Sequence, residues 1–243
     1  MLSTVSSPKQ RTLIAALLLR SNTEVPSEEL RELLWPGRPV ERAQISLHTL
    51  ISRTRRELRR RGVTGISSLS SGYAIDTTHD ELDLNLFERA CERGRHAWRE
   101  GNWARASAAL RQGLDLWRGE FLSDVTVPEL QEPHRGPLIE QRLQALELRI
   151  DAELELGESG ALVKELRQLV MTHPLRERFH ALLLLALYRS GQRADALAAF
   201  REARRLMVDE LGVEPGWELQ ELHQRVLTDD PSLLTTVIKA RPR

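Results

Sequence analysis

Basic and hydrogen-bonding side chains recur at helical spacing in the stretch ERAQISLHTLISRTRRELRRR, residues 41–61. On a helix, one face of this stretch carries three arginines together with amide, imidazole and hydroxyl groups. The members of this face are Gln44, His48, Ser52, Arg53, Arg56 and Arg59. Guanidinium groups pair with phosphates and guanine edges, and the other groups can bond to base edges. The face therefore predicts DNA binding, with a solvated basic helix surface as the alternative.

The same stretch carries a second, apolar face. Five apolar residues fall on one stripe of the helix because they are spaced three, four or seven apart: Ala43, Leu47, Leu50, Ile51 and Leu58. Gly62 stands where a helix C-cap is expected, so we expect the helix to end there. The stripe would pack on a hydrophobic core and leave the polar face outward.

Two further helices are predicted before this one. Ser7-Pro8 and Gln10 have the form of a capping box with proline at the first helical position, and the helix that they start runs to about Arg20. Ser27 can cap a short second helix, which the residues Trp35-Pro36-Gly37 stop. The basic helix is therefore the third.

A β-hairpin is predicted after the third helix. The runs Ile66 to Leu69 and Tyr73 to Thr77 have strand character, and Ser70-Ser71-Gly72 between them has the composition of a turn. Three helices followed by a hairpin form a winged helix-turn-helix. In that arrangement the third helix enters the major groove and the hairpin lies against the DNA backbone beside it.

Charge is divided unevenly along the chain. Of 35 Lys and Arg and 35 Asp and Glu in 243 residues, residues 1–78 hold twelve basic and seven acidic, and the remainder holds 23 and 28. If the chain has an electrostatic partner of negative sign, that partner belongs to the first part. Cys91 is the only cysteine, which excludes an intrachain disulfide and fits a reducing cytoplasm. Neither a signal peptide nor an apolar run of membrane-spanning length is present, so we expect a cytoplasmic protein with no membrane partner.

From Leu82 onward the sequence predicts repeated pairs of helices. Gly101, Gly157 and Gly191 each end one helical pattern and are followed by small or apolar residues at plus five, nine and twelve. The last two glycines lie 34 residues apart, which is the tetratricopeptide period. We expect an α-solenoid of about three helical pairs with a capping helix that begins near Pro215. The segment 118–137, with three prolines and two glycines, is expected to be irregular.

These patterns give a mainly α chain of two domains. The predicted bounds are 1–78 for the winged-helix DNA-binding domain, 79–230 for the tetratricopeptide-like helical repeats, and 231–243 for a flexible tail.

Six motifs together resemble one protein family: KQRTLIAALLL, SLHTLISRTRREL, SGYAI, LDLNLFER, LDLWRGEFLSDV and HPLRERFHALLLLALYRSGQRADALAAFREARRLMVDELGVEPGWELQELHQRVL. The chain resembles the Streptomyces antibiotic regulatory protein (SARP) family over about residues 8–230. The resemblance implies an OmpR/PhoB-type winged helix joined to a bacterial transcriptional activation domain.

The resemblance also implies a function. It indicates a transcriptional activator of a secondary-metabolite (antibiotic) biosynthetic gene cluster. Such proteins bind direct repeats in double-stranded promoter DNA, with protomers associating side by side, and contact RNA polymerase and its sigma factor. The alternative, from a different class, is a non-activating protein-interaction module that acts through its helical repeats.

Roles in DNA binding are assigned on this basis. The residues expected to read bases lie on or beside the face opposite the apolar stripe: His48, Thr49, Ser52 and Arg53. Arg53 matches the position of a DNA-contacting arginine in the OmpR/PhoB helix. The residues expected to contact phosphates are Arg42, Gln44, Arg55, Arg56, Arg59, Ser71 and Tyr73. For Tyr73, packing of the ring under the wing is the alternative.

Three features depart from the family pattern. Only about seven residues precede Pro8, where members usually begin with a small sheet. We expect either that this sheet is absent or that the first residue given is not the biological start. Thr54 stands where a buried leucine is usual, which weakens one core contact. Leu69 stands where the wing usually carries an arginine, which removes one phosphate contact.

Nothing in the sequence predicts catalysis or a cofactor. The seven histidines show no paired metal-ligand spacing, a lone cysteine cannot anchor a zinc site, and no phosphate-binding loop or nucleophile elbow is present. We therefore expect no enzyme activity, metal or cofactor. The tryptophans are expected to pack in the interior, with Trp35 beneath the turn before the third helix and four in the repeats: Trp98, Trp103, Trp117 and Trp217.

Overall fold

The computed structural model of the chain describes residues 7–62, 65–77 and 82–234. The fold is mainly helical, with a winged helix-turn-helix followed by helical repeats, as the sequence predicts. The chain divides into two compact units: one of residues up to Glu88 together with Asp115–Gln141, the other of Arg89–Leu114 together with the residues from Arg142 on. The first unit thus takes in residues 115–141, which lie within the predicted span of the repeats.

Three helices and a small sheet build the core of the first unit. The helices are α1 (Pro8–Leu19), α2 (Ser27–Leu34) and α3 (Val40–Arg60). The strands are β1 (Val25–Pro26), β2 (Ile66–Ser68) and β3 (Gly72–Ile75), all antiparallel in the order β1-β3-β2. Side chains from all three helices and from all three strands meet in one hydrophobic cluster. The predicted third helix and hairpin are confirmed.

Strand β1 is a feature that the sequence does not predict, because a strand of two residues has no alternation to detect. Val25 pairs with Tyr73, and Pro26 pairs with Gly72. A Cβ atom on Gly72 would lie 2.0 Å from the Val25 carbonyl oxygen, so only glycine allows the two strands to approach. Gly72 therefore belongs to β3 rather than to the turn. The predicted absence of an N-terminal sheet concerns the chain before Ser7, outside the described residues.

The start of α1 is partly as predicted. Ser7 is the N-cap and Pro8 the first helical residue, but the Ser7 side chain makes no capping hydrogen bond. Gln10 does not close a capping box, since its amide nitrogen points to the Thr54 hydroxyl at 3.4 Å. Thr54 is fully buried in α3, and its hydroxyl donates to the Leu50 carbonyl at 2.8 Å. The buried Thr54 hydroxyl thus has both an acceptor in its own helix and a donor from α1.

Paired helices follow, as the glycine spacing predicts. They are α4 (Asp83–Arg99) with α5 (Trp103–Leu114), α6 (Pro128–Glu155) with α7 (Ser159–Thr172), α8 (Glu177–Arg189) with α9 (Arg193–Leu211), and the capping helix α10 (Trp217–Leu227). Gly101, Gly157 and Gly191 have φ of 69°, 87° and 76° at the turn inside each pair. The left-handed backbone at these turns is the physical reason for the glycine repeat.

The predicted irregular segment is shorter than expected. Helix α6 begins at Pro128 and contains Pro133 and Pro137, so that the expectation of irregular structure up to residue 137 is wrong. An interior proline removes a helix hydrogen bond and costs about 3 kcal/mol. Burial offsets part of this cost, because Leu130 packs against the hydrophobic core of the first unit.

A buried ionic network joins α5, α6 and α7 within the second unit. The Glu153 carboxylate is fully buried and accepts from the Ser107 hydroxyl and from Arg111 Nε, both at 2.8 Å. Arg149 donates to the other Glu153 oxygen at 2.8 Å and pairs with Glu165 on α7. Burial of this carboxylate is therefore balanced by two cations and a hydroxyl donor.

Two features near the C-terminal end differ from expectation. Trp217 is the first residue of α10 and is 71% exposed, so its predicted interior packing is wrong. Trp98 and Trp103 do pack edge to face, with ring centroids 6.0 Å apart. Pro231–Leu233 form a 3-10 helix with Leu233 buried, and residues 235–243 lie outside the described residues.

Candidate nucleic-acid interface

Helix α3 turns its apolar stripe inward and its polar face outward. Ala43, Leu47, Ile51 and Leu58 are buried, together with Thr54. The residues predicted to read bases are all exposed on the outward side: His48, Thr49, Ser52 and Arg53. The structure therefore brings the four predicted residues together on one surface, as the helical spacing requires.

Polar contacts on this surface set the orientation of some of these side chains. The Gln44 amide nitrogen lies 2.7 Å from His48 Nε2, and the Gln44 oxygen accepts from Arg31 of α2. Gln44, predicted to contact a phosphate, is thus half-buried and links the two helices of the motif. The Thr49 hydroxyl donates to the Ile45 carbonyl at 2.9 Å.

Three arginines on α3 keep their guanidinium groups outward. Arg53, Arg56 and Arg59 are exposed, and none of their side chains makes a hydrogen bond or ion pair within the described part of the chain. Arg42, near the start of α3, is exposed as well. Cations without a partner among these residues can bind anions without first breaking a contact to them.

Arg55 has a different environment from its neighbours. Its Nε donates to the Ile66 carbonyl at 2.7 Å and its Nη2 to the Ser68 hydroxyl at 2.8 Å, both in strand β2. The guanidinium carbon also lies 6.0 Å from the centroid of the Tyr73 ring. Tyr73 is only 7% exposed and belongs to the hydrophobic core. This is the packing of the ring under the wing that was the alternative to a phosphate contact. Arg55 therefore links the third helix to the wing.

The wing turn is held from the other side by an acidic residue. Both the backbone N–H and the hydroxyl of Ser71 donate to one Glu24 carboxylate oxygen, at 2.8 and 3.0 Å. The Ser71 carbonyl accepts from the Ser27 N–H at 3.0 Å. Ser71 itself is exposed. Sequence reasoning did not find Glu24, because it precedes Ser71 by 47 positions and a contact over that separation leaves no local signal.

The turn before α3 is also anchored. Trp35 packs against the hydrophobic core, as predicted, and the Lys9 ammonium lies 4.5 Å from its ring centroid. Burial lowers the pKa of Lys9, and the nearby Arg38 charge lowers it further. Arg38 in turn donates to the Ser46 hydroxyl at 3.2 Å. These contacts fix the N-terminal end of α3, which is the end that a helix-turn-helix directs at base edges.

Two further observations concern metal ligands and membrane spans. Within residues 7–62, 65–77 and 82–234, no group of three or more His, Cys, Asp or Glu is placed to hold a metal ion. Over the same residues, the helices are all too short or too polar to cross a membrane. The outward face of α3 is the candidate functional site because it gathers exposed hydrogen-bonding side chains and arginines on one helix.

Comparison with known proteins identifies the family. The bacterial transcriptional activator domain matches residues 82–227. Regulatory protein DnrI of Streptomyces peucetius is 36% identical over 238 residues, covering 93% of this chain and 86% of that protein. The chain belongs to the SARP family of transcriptional regulators. Regulatory protein AfsR of Streptomyces coelicolor, another member of the family, is 44% identical over 228 residues.

Length and structure comparisons add two facts. The chain spans 23% of the length of AfsR, so the family resemblance there concerns one part of a longer protein. A solved structure of Mycobacterium tuberculosis EmbR, in complex with a low-affinity phosphopeptide, superposes with a TM-score of 0.86 at 31% identity. That match covers 95% of this chain and 63% of the EmbR chain. The SARP fold assignment thus holds for both units.

Proposed function

We propose that this protein is a sequence-specific DNA-binding transcriptional activator that reads operator DNA with helix α3. The observation that carries the proposal is Arg53, exposed and unpaired among the described residues, on the third helix of a winged helix-turn-helix. Such a helix enters the major groove, where an arginine can donate to both guanine O6 and N7. Membership of a family of transcriptional regulators supports the same conclusion.

We assign the contacts of α3 in two groups. His48, Thr49, Ser52 and Arg53 face the base edges. Backbone phosphates are bound by Arg42, Arg56 and Arg59, with Gln44 and Ser71 at the margins of the surface. Phosphate contacts position the helix, whereas the first group supplies sequence preference.

Arg55 and Tyr73 have positioning roles in this assignment. Two guanidinium donors of Arg55 bind strand β2, and the Tyr73 ring lies in the core beneath that guanidinium. Together they hold the wing at a fixed place beside the recognition helix, so that wing and helix can meet the DNA backbone at the same time.

The helical repeats, over residues 79–230, supply the second half of the activity in this proposal. They contact RNA polymerase and its sigma factor once α3 has bound promoter direct repeats, and adjacent protomers associate on the DNA. Membership of the Streptomyces antibiotic regulatory protein family supports control of a biosynthetic gene cluster for an antibiotic or another secondary metabolite.

An equilibrium titration separates this function from that of a protein-interaction module. Promoter fragments from the gene neighbourhood and a random duplex of equal length are labelled and titrated with the protein at near-physiological salt, with fluorescence anisotropy as the readout. The proposal expects one fragment to bind at least about a hundredfold more tightly than the random duplex. Weak binding that is equal for all duplexes would favour the interaction module instead.

A further inference from the structure

One apolar side chain stands in the middle of the polar surface of α3. Ile45 is 68% exposed, although the other isoleucine of the helix, Ile51, is buried. Burying an isoleucine side chain is favourable, so its exposure forgoes that stabilisation in the free protein. Isolated exposed apolar residues are common on protein surfaces, so that exposure alone assigns no role. The position of Ile45 on the helix is the second observation.

Helical geometry places Ile45 at the centre of the outward face. At about 100° per residue, the fully buried Thr54 lies about 180° away from it, while Ser52 and Arg56 lie within about 20°. Thr49 and Arg53 follow at about 40° and 80° on one side, and His48 at about 60° on the other. Ile45 is thus surrounded by the proposed base-reading residues and lies in the first half of the helix, Val40–Arg60.

The neighbouring threonine adds to this apolar surface. The Thr49 hydroxyl donates to the Ile45 carbonyl at 2.9 Å, so its hydrogen is already used inside the helix. With the hydroxyl turned back onto the helix, the γ-methyl of Thr49 is the free end of that exposed side chain. Ile45 and Thr49 therefore form an apolar patch flanked by His48 and Arg53.

An apolar patch in the major groove has one natural partner among the base edges. The thymine 5-methyl group is the only apolar group that the four bases present there. We propose that Ile45 is a specificity-determining residue that recognises a thymine in the operator by contact with its 5-methyl group, with Thr49 lining the same contact. This inference rests on the DNA-binding function proposed above.

Replacing thymine by uracil removes only the methyl group and keeps every hydrogen-bonding atom. The promoter fragment that binds most tightly is shortened to the site that the bound protein protects. A series of duplexes is then synthesised, and in each of them one thymidine is replaced by deoxyuridine. Wild-type protein is then titrated against every duplex by anisotropy. We expect affinity to fall about fourfold at one or two thymines, the factor that corresponds to burial of one methylene-sized group, and to stay unchanged at the others.

The Ile45→Ala variant connects that effect to the residue. Alanine favours the helix and Ile45 is exposed, so the variant should keep the fold. We expect it to bind the thymine site several-fold more weakly than wild type and to bind thymine and uracil duplexes equally well. The matched control is Val40→Ala, because Val40 is also exposed, at 59%, but lies about 140° from Ile45 around the helix. This control should keep the full thymine preference.

Each outcome has one meaning. Uracil substitutions without effect on wild-type protein, or an Ile45→Ala variant that retains the thymine preference, would overturn the role of Ile45. The inference also fails if Val40→Ala abolishes the preference, since the effect would then not belong to the centre of the face. Absence of any preferred promoter fragment contradicts the proposed function itself, and is seen before the uracil series begins.

Discussion

Replacing Arg55 by alanine tests whether the winged helix uses this arginine to hold its own wing. Arg55 is the link between α3 and β2 through the Ile66 carbonyl and the Ser68 hydroxyl. The adjacent Arg56 is exposed and makes no hydrogen bond or ion pair to the described residues. The two neighbouring arginines should therefore respond in opposite ways to the same substitution.

The size of the effect follows from the two hydrogen bonds. The bond to the Ile66 carbonyl is partly buried, and a sheltered hydrogen bond to a charged group contributes about 1.5–3 kcal/mol. The bond to Ser68 is exposed and contributes about 0–1 kcal/mol. Arg55→Ala should thus lower the free energy of opening the wing by about 2–3 kcal/mol. Backbone amides of residues 65–77 should then exchange with solvent deuterium at least about 30-fold faster.

Amide hydrogen exchange measured by mass spectrometry reports this opening directly. Arg56→Ala should leave the exchange of the wing unchanged and should instead reduce the slope of log affinity for DNA against log salt by about 0.9. Ser68→Ala should have a smaller effect on exchange than Arg55→Ala, and the double variant should not exceed the sum of the two.

The reasoning would be refuted by the reverse pattern. If Arg55→Ala leaves the exchange of the wing within twofold of wild type and lowers the salt slope by about one unit, then Arg55 serves a phosphate, as its sequence position alone suggests. The internal hydrogen bonds would then contribute nothing measurable to holding the wing.

Three further substitutions test separate parts of the fold. Gly72→Ala should destabilise the first unit by at least about 2 kcal/mol in urea unfolding, because its Cβ meets the Val25 carbonyl; Gly65→Ala, with open space around it, is the control. Glu153→Gln should lower the stability of the second unit by about 3 kcal/mol, since it removes the buried one of the two carboxylates that pair with Arg149 and leaves only Glu165, and an unchanged melting temperature would contradict this. Hydrogen bonds from Ser232 and Arg225 hold the pKa of Asp230 down to about 2, so the stability that this carboxylate contributes is present above pH 4 and is lost as pH falls toward 2. Asp230→Asn should remove that part of the acid sensitivity in thermal melts between pH 4 and 2, and an unaltered profile would disprove the assignment.

Much of helix α3 could be predicted from the sequence. Apolar residues repeat at helical spacing from Ala43 to Leu58, and this spacing shows which side of the helix is buried. The side chains on the opposite side must then face outward. For this reason the sequence correctly placed Arg53 and its neighbours on a common surface. The glycine turns of the repeats were predictable for a similar reason, because a left-handed turn favours one residue type.

Contacts between residues distant in the chain could not be predicted in this way. Arg55 and Arg56 are identical in type and adjacent in sequence, yet the wing hydrogen bonds distinguish them only in the folded state. Strand β1 is too short to show a pattern, and its partner Gly72 is 46 residues further on. Ile45 was overlooked because it does not share the spacing of the buried stripe, although an apolar residue in the middle of a polar face is a signal that the sequence does contain.

The central claim is that α3 recognises a DNA sequence through its exposed face, and the affinity of the Arg53→Ala variant tests it most directly. Wild type and variant are each titrated with the preferred promoter duplex and with a random duplex at the same salt concentration. We predict that the variant binds the preferred duplex about 10- to 100-fold more weakly, while binding to random DNA changes far less. An equal loss on both duplexes would show that Arg53 only neutralises phosphates and would contradict the account.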